Sequence, residues 1–298
     1  MYILDTSALQ AIGASKLRAR QPHVKLAISP LTFYELLSHL EDTGKKSNFA
    51  KKKAIVLKCR IPEILQDAAA RHAAFVGVSD LSDPTRDDET ALIPKMLEGL
   101  SQSESLESFY SQEILDSKGV RLFFSKIGER TNQWLKKREE EYIKLIDELR
   151  ADFKILFPEF PHKPITDADL VRQIVARAGD ALKGYDAVAS NDDLDLPVKI
   201  IRSVYIYFGY MHYRTLDYMT KEFNAGSYNP DPNDFEDSYI AFNLDILRDD
   251  ALVTGDHDAL KAVQRTIDSF QHIAAVGVKP LARVIDVKTF LAETSNES

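Results

Sequence analysis

The sequence predicts an α/β protein in which a parallel sheet is sandwiched by helices and interrupted by an all-helical insertion. Three observations lead there. Short apolar-leaning runs ending in turn or cap signals occur at 2–4, 24–28, 251–254 and 281–286. Helical patterns alternate with them towards both ends of the chain, and such alternation implies a parallel sheet covered by helices. Residues 76–225 between the two ends show helical patterning, no strand-like alternation and no internal repeat.

The elements follow in chain order. Residues 2–4 form a buried strand that runs straight into Asp5. After the strand 24–28, Ser29 is a helix N-cap and Pro30 fits the first helical position. Leu31, Tyr34, Leu37 and Leu40 make that helix's apolar stripe, and Gly44 stops it. A basic helix over 46–58 and a third over 63–75 come next. Residues 79–90, "SDLSDPTRDDET", read as a polar linker. Helices are predicted over 90–117, 119–152, 166–183 and 197–223, forming a separate body. "GSYNPDPND" at 226–234 is a turn and helix start, leading to a helix over 235–248. The strand "ALVT", a helix over 258–269, a strand near 281–286 and a helix near 287–293 close the chain. The domain expectation is therefore one α/β unit of typical size from 1–75 and 226–298, with 76–225 as the insertion.

Composition sets limits. Hydrophobic residues at 44% and charged residues at 28% are ordinary for a globular chain. A single cysteine, Cys59, rules out an intrachain disulfide and fits a reducing, cytoplasmic setting. No signal-peptide pattern and no membrane-length apolar run are expected. The net charge of −8 argues weakly against a nucleic-acid partner. Residues 45–60 nonetheless hold seven basic residues and no acidic one. They read either as a solvated helix face or as a phosphate-contacting stripe centred on Lys51, Lys52 and Lys53.

The acids are the most informative feature. Asp5 ends the first strand and Asp256 follows "ALVT" by two residues. Sites in open parallel sheets gather at the carboxyl ends of strands, so both should face one crevice. Glu35, in the second turn after the second strand, and Asp237, in the first turn of its helix, should point there too. Each acid also has a plain reading: turn former or cap for Asp5, solvated residue for Glu35, dipole-favoured acid for Asp237 with Asp234 or Glu236 as the site acid instead, Asx-turn for Asp256. A cluster of carboxylates repels itself unless a hard divalent cation with oxygen ligands holds it, and Mg²⁺ or Mn²⁺ in such a setting serves phosphoryl chemistry.

In combination, "YILDTSAL", "ISPLTFYELL", "FEDSYIA" and "LVTGDHDAL" resemble the four acidic motifs of PIN-domain nucleases, Mg²⁺- or Mn²⁺-dependent ribonucleases of which many are toxins of toxin–antitoxin pairs. The resemblance implies that Asp5, Glu35, Asp237 and Asp256 are the catalytic, metal-binding acids, with Asp258 as an accessory ligand. It also implies hydroxyl roles for Thr6 and Thr254 near metal and substrate. It covers both ends of the chain, about half of it. The insertion separates Glu35 from Asp237 much further than compact PIN domains do.

The resemblance makes the expected function metal-dependent nuclease activity, most readily of an endoribonuclease. RNA or single-stranded DNA is the expected substrate, and an antitoxin or other protein an expected partner. The alternatives are a catalytically silent PIN-like scaffold that binds RNA or protein, and a Mg²⁺-dependent phosphohydrolase acting on small phosphoesters. The tyrosine-rich run 204–218 reads as a buried or interfacial helix, or as a base-stacking platform.

Overall fold

The computed structural model describes residues 1–40, 49–76, 84–116, 119–185, 196–273 and 279–295. Its centre is a five-stranded, wholly parallel sheet in the order β3-β2-β1-β6-β7. The strands are β1 (Tyr2–Leu4), β2 (Leu26–Ile28), β3 (Glu63–Ile64), β6 (Ala251–Thr254) and β7 (Arg283–Asp286). The chain builds outward from β1 to β2 and β3, then returns on the other side through β6 and β7. The strand order therefore reverses between β1 and β6, where the carboxyl ends of open α/β sheets leave a crevice.

Alternation along these strands divides the core into two layers. Leu4, Ile28, Val253 and Ile285 face one cluster, while Ile3, Ala27, Leu252 and Val284 face the other. On the first face pack α1 (Thr6–Ala11), α3 (Pro30–Ser38), α4 (Phe49–Val56) and α6 (Pro84–Gln102), the last supplying Ile93, Met96 and Leu100. The second face is covered by α11 (Asp234–Ala241) and α12 (His257–Ser269), together with α8 (Phe124–Leu156) and α10 (Leu196–Ala225). Residues from the middle of the chain thus enter both layers. Tyr205, Tyr210 and Met211 of α10 are fully buried there, and Gly209 lets α10 approach α12 so closely that an added Cβ would lie 2.2 Å from a Thr266 methyl.

Several sequence expectations are corrected. The predicted helix over 63–75 begins as β3, two residues paired in parallel with Ala27 and Ile28, before α5 (Ala68–Val76). Two residues are too few to show alternation. The predicted linker 79–90 is partly helix: α6 starts at Pro84, a residue suited to a first helical turn, and 79–83 lie outside the described residues. The middle segment is not all helical. After α6 and α7 (Leu106–Tyr110), strands β4 (Glu113–Leu115) and β5 (Arg121–Phe123) form an antiparallel hairpin. Gly119 closes it at φ 77°, a conformation glycine tolerates best. The helix expected over 235–248 ends at Ala241, where Asn243 turns its side-chain amide back onto the Ile240 carbonyl at 3.2 Å. The Arg202 fork then pins Asp245. The remaining elements, α2 (Ala14–Arg20), α9 (Asp167–Tyr185) and α13 (Val287–Glu293), complete the helical layers. Among the described residues no helix is long and apolar enough to cross a membrane.

Candidate metal centre

Asp5 leaves the C-terminal end of the central strand β1 and is buried. Its Oδ1 accepts from the Ala8 amide at 2.7 Å, so it caps α1. Ser7 Oγ donates toward both Asp5 oxygens at 2.8 Å and accepts from the Gly255 amide at 2.6 Å. That hydroxyl ties the end of β1 to the turn after β6. Asp256 opens α12 in the same manner, accepting from Ala259 N at 2.8 Å. Thr254 Oγ1 accepts from Asp256 N at 2.9 Å. The capping reading of Asp5 thus holds, Asp256 caps α12 where an Asx-turn was the plain reading, and both carboxylates still border the cleft.

Glu35 comes from α3, whose start is fixed by Ser29 accepting from Leu31 N and by Pro30 in the first turn. Thr6 donates its hydroxyl to Glu35 Oε2. Asp237 and Glu236 come from the first turn of α11. Tyr210 of α10 reaches both Asp237 Oδ2 and Asp234 Oδ1, at 3.5 and 3.3 Å.

Asp5, Glu35, Glu236, Asp237 and Asp256 line one polar cleft of about 430 Å³, together with Thr6 and Ser7. It sits at the carboxyl ends of β1 and β6, at the reversal of strand order. Burial raises the proton affinity of Asp5, and the neighbouring Asp256 adds to it. Burial, then Asp256, Asp5 and Glu35 among others, holds Asp237 well above the usual carboxylate range. Glu35 is raised first by burial and then by Glu236. Burial, with Glu139 and Asp237, pushes Glu236 up to about 7. Among the described residues no Lys, Arg or His forms an ion pair with any of the five. Nor are any three acidic, His or Cys side chains there already gathered tightly around one point. The donor set is all oxygen and the charges are uncompensated, which suits a hard divalent cation.

Other predicted residues lie elsewhere. Asp258 pairs with Arg214 at 3.0 Å and Lys221 at 3.8 Å; although burial opposes it, Arg214 holds this carboxyl below its usual range. It does not border the cleft. Asp234 is likewise engaged by Arg214 at 2.7 Å and by Tyr218. Lys53 donates to the Ser101 and Ser103 carbonyls at 2.9 and 2.6 Å, and Lys52 to the His39 carbonyl. These two lysines satisfy the orphan carbonyls at the ends of α6 and α3. Lys51 is exposed, and none of the three lines the cleft. Lys45 and Lys46 lie outside the described residues. In the tyrosine run, Tyr205, Tyr210, Tyr213 and Tyr218 are buried, in keeping with the core-helix reading.

Sequence reasoning missed one wall of the cleft. Asn132, Lys136 and Glu139 of α8, with Leu135 between them, face the acids. Their signal is faint, because mixed charge along a long helix looks the same whether it faces water or a site. Ser7 was legible only as a hydroxyl two residues after Asp5. Comparison with family models, with curated proteins and with solved structures finds no match to this chain.

Proposed function

We propose that the chain is a divalent-metal-dependent nuclease of PIN-like type, cleaving RNA as an endonuclease. One observation carries the reading: acids from four remote segments line one cleft at the switch point of a parallel sheet, with no basic side chain among the described residues paired to them. Asp5 and Asp256 are held rigidly by helix caps, which makes them the fixed ligands. Glu35, oriented by Thr6, and Asp237, approached by Tyr210, complete the set. A Mg²⁺ or Mn²⁺ bound there supplies an activated water and neutralises charge on the phosphate. Lys136 and Asn132 stand on the α8 wall to contact the substrate backbone. Glu236, which burial pushes up to about 7, lines the cleft where it can pass a proton to a leaving oxygen.

The test is incubation of the protein with labelled RNA, single-stranded DNA and a small aryl phosphate, in Mn²⁺, Mg²⁺ or EDTA. Cleavage of RNA with metal, lost in EDTA and in Asp256→Asn, is expected. Turnover of the aryl phosphate alone would assign a phosphohydrolase. Absence of turnover on all three substrates in Mn²⁺ and Mg²⁺ would leave only the scaffold.

A further inference from the structure

A second cavity, of about 310 Å³, shares no residue with the acidic cleft and has the opposite charge. It lies between α5, α10 and the segment that leads into β6. Three guanidinium groups line it, Arg71, Arg202 and Arg248, against one carboxylate, Asp245. In a chain of net charge −8 this is a local excess of positive charge in a concave place. Asp245 is consumed by a two-pronged pair with Arg202. Arg248 is largely exposed and only loosely paired, at 3.6 Å, with Asp250.

Arg71 is the telling residue. It is partly buried, yet no carboxylate among the described residues forms an ion pair with it. Its Nη1 donates to the backbone and side-chain oxygens of Asn243, both at 3.1 Å, which are neutral acceptors. Asp250, Asp245 and Glu63 act on it only at a distance, so this half-sheltered guanidinium has no direct charged partner and an anion in the cavity would supply one. Burial weakens its hold on the proton, and the distant Asp250 offsets this only in part. The fork of an arginine matches a phosphate in two-pronged fashion. Phe75 and Phe242 provide the apolar part of the lining. Phe75 is 38% exposed, with the Arg202 guanidinium 5.1 Å from its ring centre. Phe242 has one face backed by Tyr207, with ring centres 5.1 Å apart. The volume suits one small molecule.

We infer that this cavity binds a small phosphate monoester carrying a flat ring, of the class of a nucleoside monophosphate. Arg71 and Arg248 meet the phosphate, while Phe75 and Phe242 meet the ring. The site is independent of the acidic cleft and does not rest on its assignment.

Binding is measured on the full chain in EDTA, where the acidic cleft repels anions. The probes are adenosine monophosphate, inorganic phosphate and adenosine, followed by calorimetric titration and thermal melts. The monophosphate is expected to raise the melting temperature by several degrees at about 100 times its Kd. Phosphate alone should bind at least about 10-fold more weakly, and adenosine more weakly still. Arg71→Gln should weaken the monophosphate about 10-fold or more. Arg248→Ala, at an exposed position that leaves the fold intact, should weaken it about 3-fold or more. No response of the wild type to the monophosphate would overturn the proposal. So would wild-type affinity in Arg248→Ala, or phosphate binding as tightly as the nucleotide.

Discussion

Glu35 of α3 and Glu236 of α11 line the same cleft, and after burial Glu236 is the largest cause that raises the proton affinity of Glu35. Neighbouring buried carboxyls disfavour ionising together, so the folded chain binds protons here more readily than the unfolded chain does. Burial drives both affinities upward, Glu236 from an ordinary 4.5 to about 7. The folded state therefore binds more protons than the unfolded state between those values. This stabilisation is complete below about pH 4.5 and is lost as pH rises through about 7. Metal-free protein should accordingly melt lower at pH 8 than at pH 5.5, with a loss of at most about 3 kcal/mol from Glu236. Glu236→Gln should flatten that slope in EDTA. A wild-type melting temperature that rises from pH 5.5 to 8 in EDTA would refute the raised proton affinity of this pair.

Asp5 makes a paired, opposite-signed prediction. It is buried among like charges and costs the empty site stability. Asparagine keeps the cap to the Ala8 amide. In EDTA, Asp5→Asn should therefore melt no lower than wild type. Metal at about 100 times its Kd should stabilise wild type by about 2.7 kcal/mol, a shift of several degrees. The variant should gain far less and should not cleave RNA. Melts of both proteins with and without Mn²⁺ decide the matter; a variant much weaker in EDTA would make Asp5 purely a cap.

The lysines divide into two kinds. Lys53 anchors the end of α6 through two carbonyls, so Lys53→Ala should cost about 1–3 kcal/mol and leave RNA binding per folded molecule unchanged. Lys136 is exposed on the cleft wall with no anchoring bond of its own among the described residues. Lys136→Ala should change stability by less than about 0.5 kcal/mol. It should instead lower the salt dependence of RNA binding by roughly one contact. Binding titrations over a salt series, on an Asp5→Asn background that cannot cleave, would expose a reversed assignment.

What the sequence made legible was local. Asp5, Ser29 with Pro30 and Asp256 sit where strand ends and cap chemistry require, because each is written within four or five residues. The α/β sheet followed from the same local signals. β3, two residues long, shows no period, and β4 and β5 each open on a charged residue, Glu113 and Arg121, instead of an unbroken apolar run. The fate of the basic stretch was hidden for another reason. Whether Lys53 meets a phosphate or a helix end depends on α6 lying beside it, a contact nearly fifty residues distant. Arg214 is the same case in reverse, for it claims Asp234 and Asp258 from two other elements and so decides which acids stay free for the cleft.

The insertion yields the last prediction. Its helices do not rest on a finished core; they complete it. Tyr205, Ile206, Tyr210 and Met211 of α10 pack in the same cluster as Ile3, Ala27 and Leu252 of the sheet. Tyr210 also reaches Asp237. Removing 80–223 would strip apolar surface from both layers at once, at about 25 cal/mol for each Å² uncovered, far beyond the margin of a typical domain. The shortened chain should show no cooperative melt and no Mn²⁺-dependent stabilisation. A gentler probe keeps the chain whole. At Gly209 an added methyl meets fully buried Thr266, so Gly209→Ala must push α10 away from α12 and should cost about 1–3 kcal/mol. Gly209→Ala together with Thr266→Ser removes the obstructing methyl and should recover part of that loss. Cooperative melting of the deleted chain, or a Gly209→Ala variant as stable as wild type, would mean that the helical segment is an appendage whose contacts with the sheet contribute little.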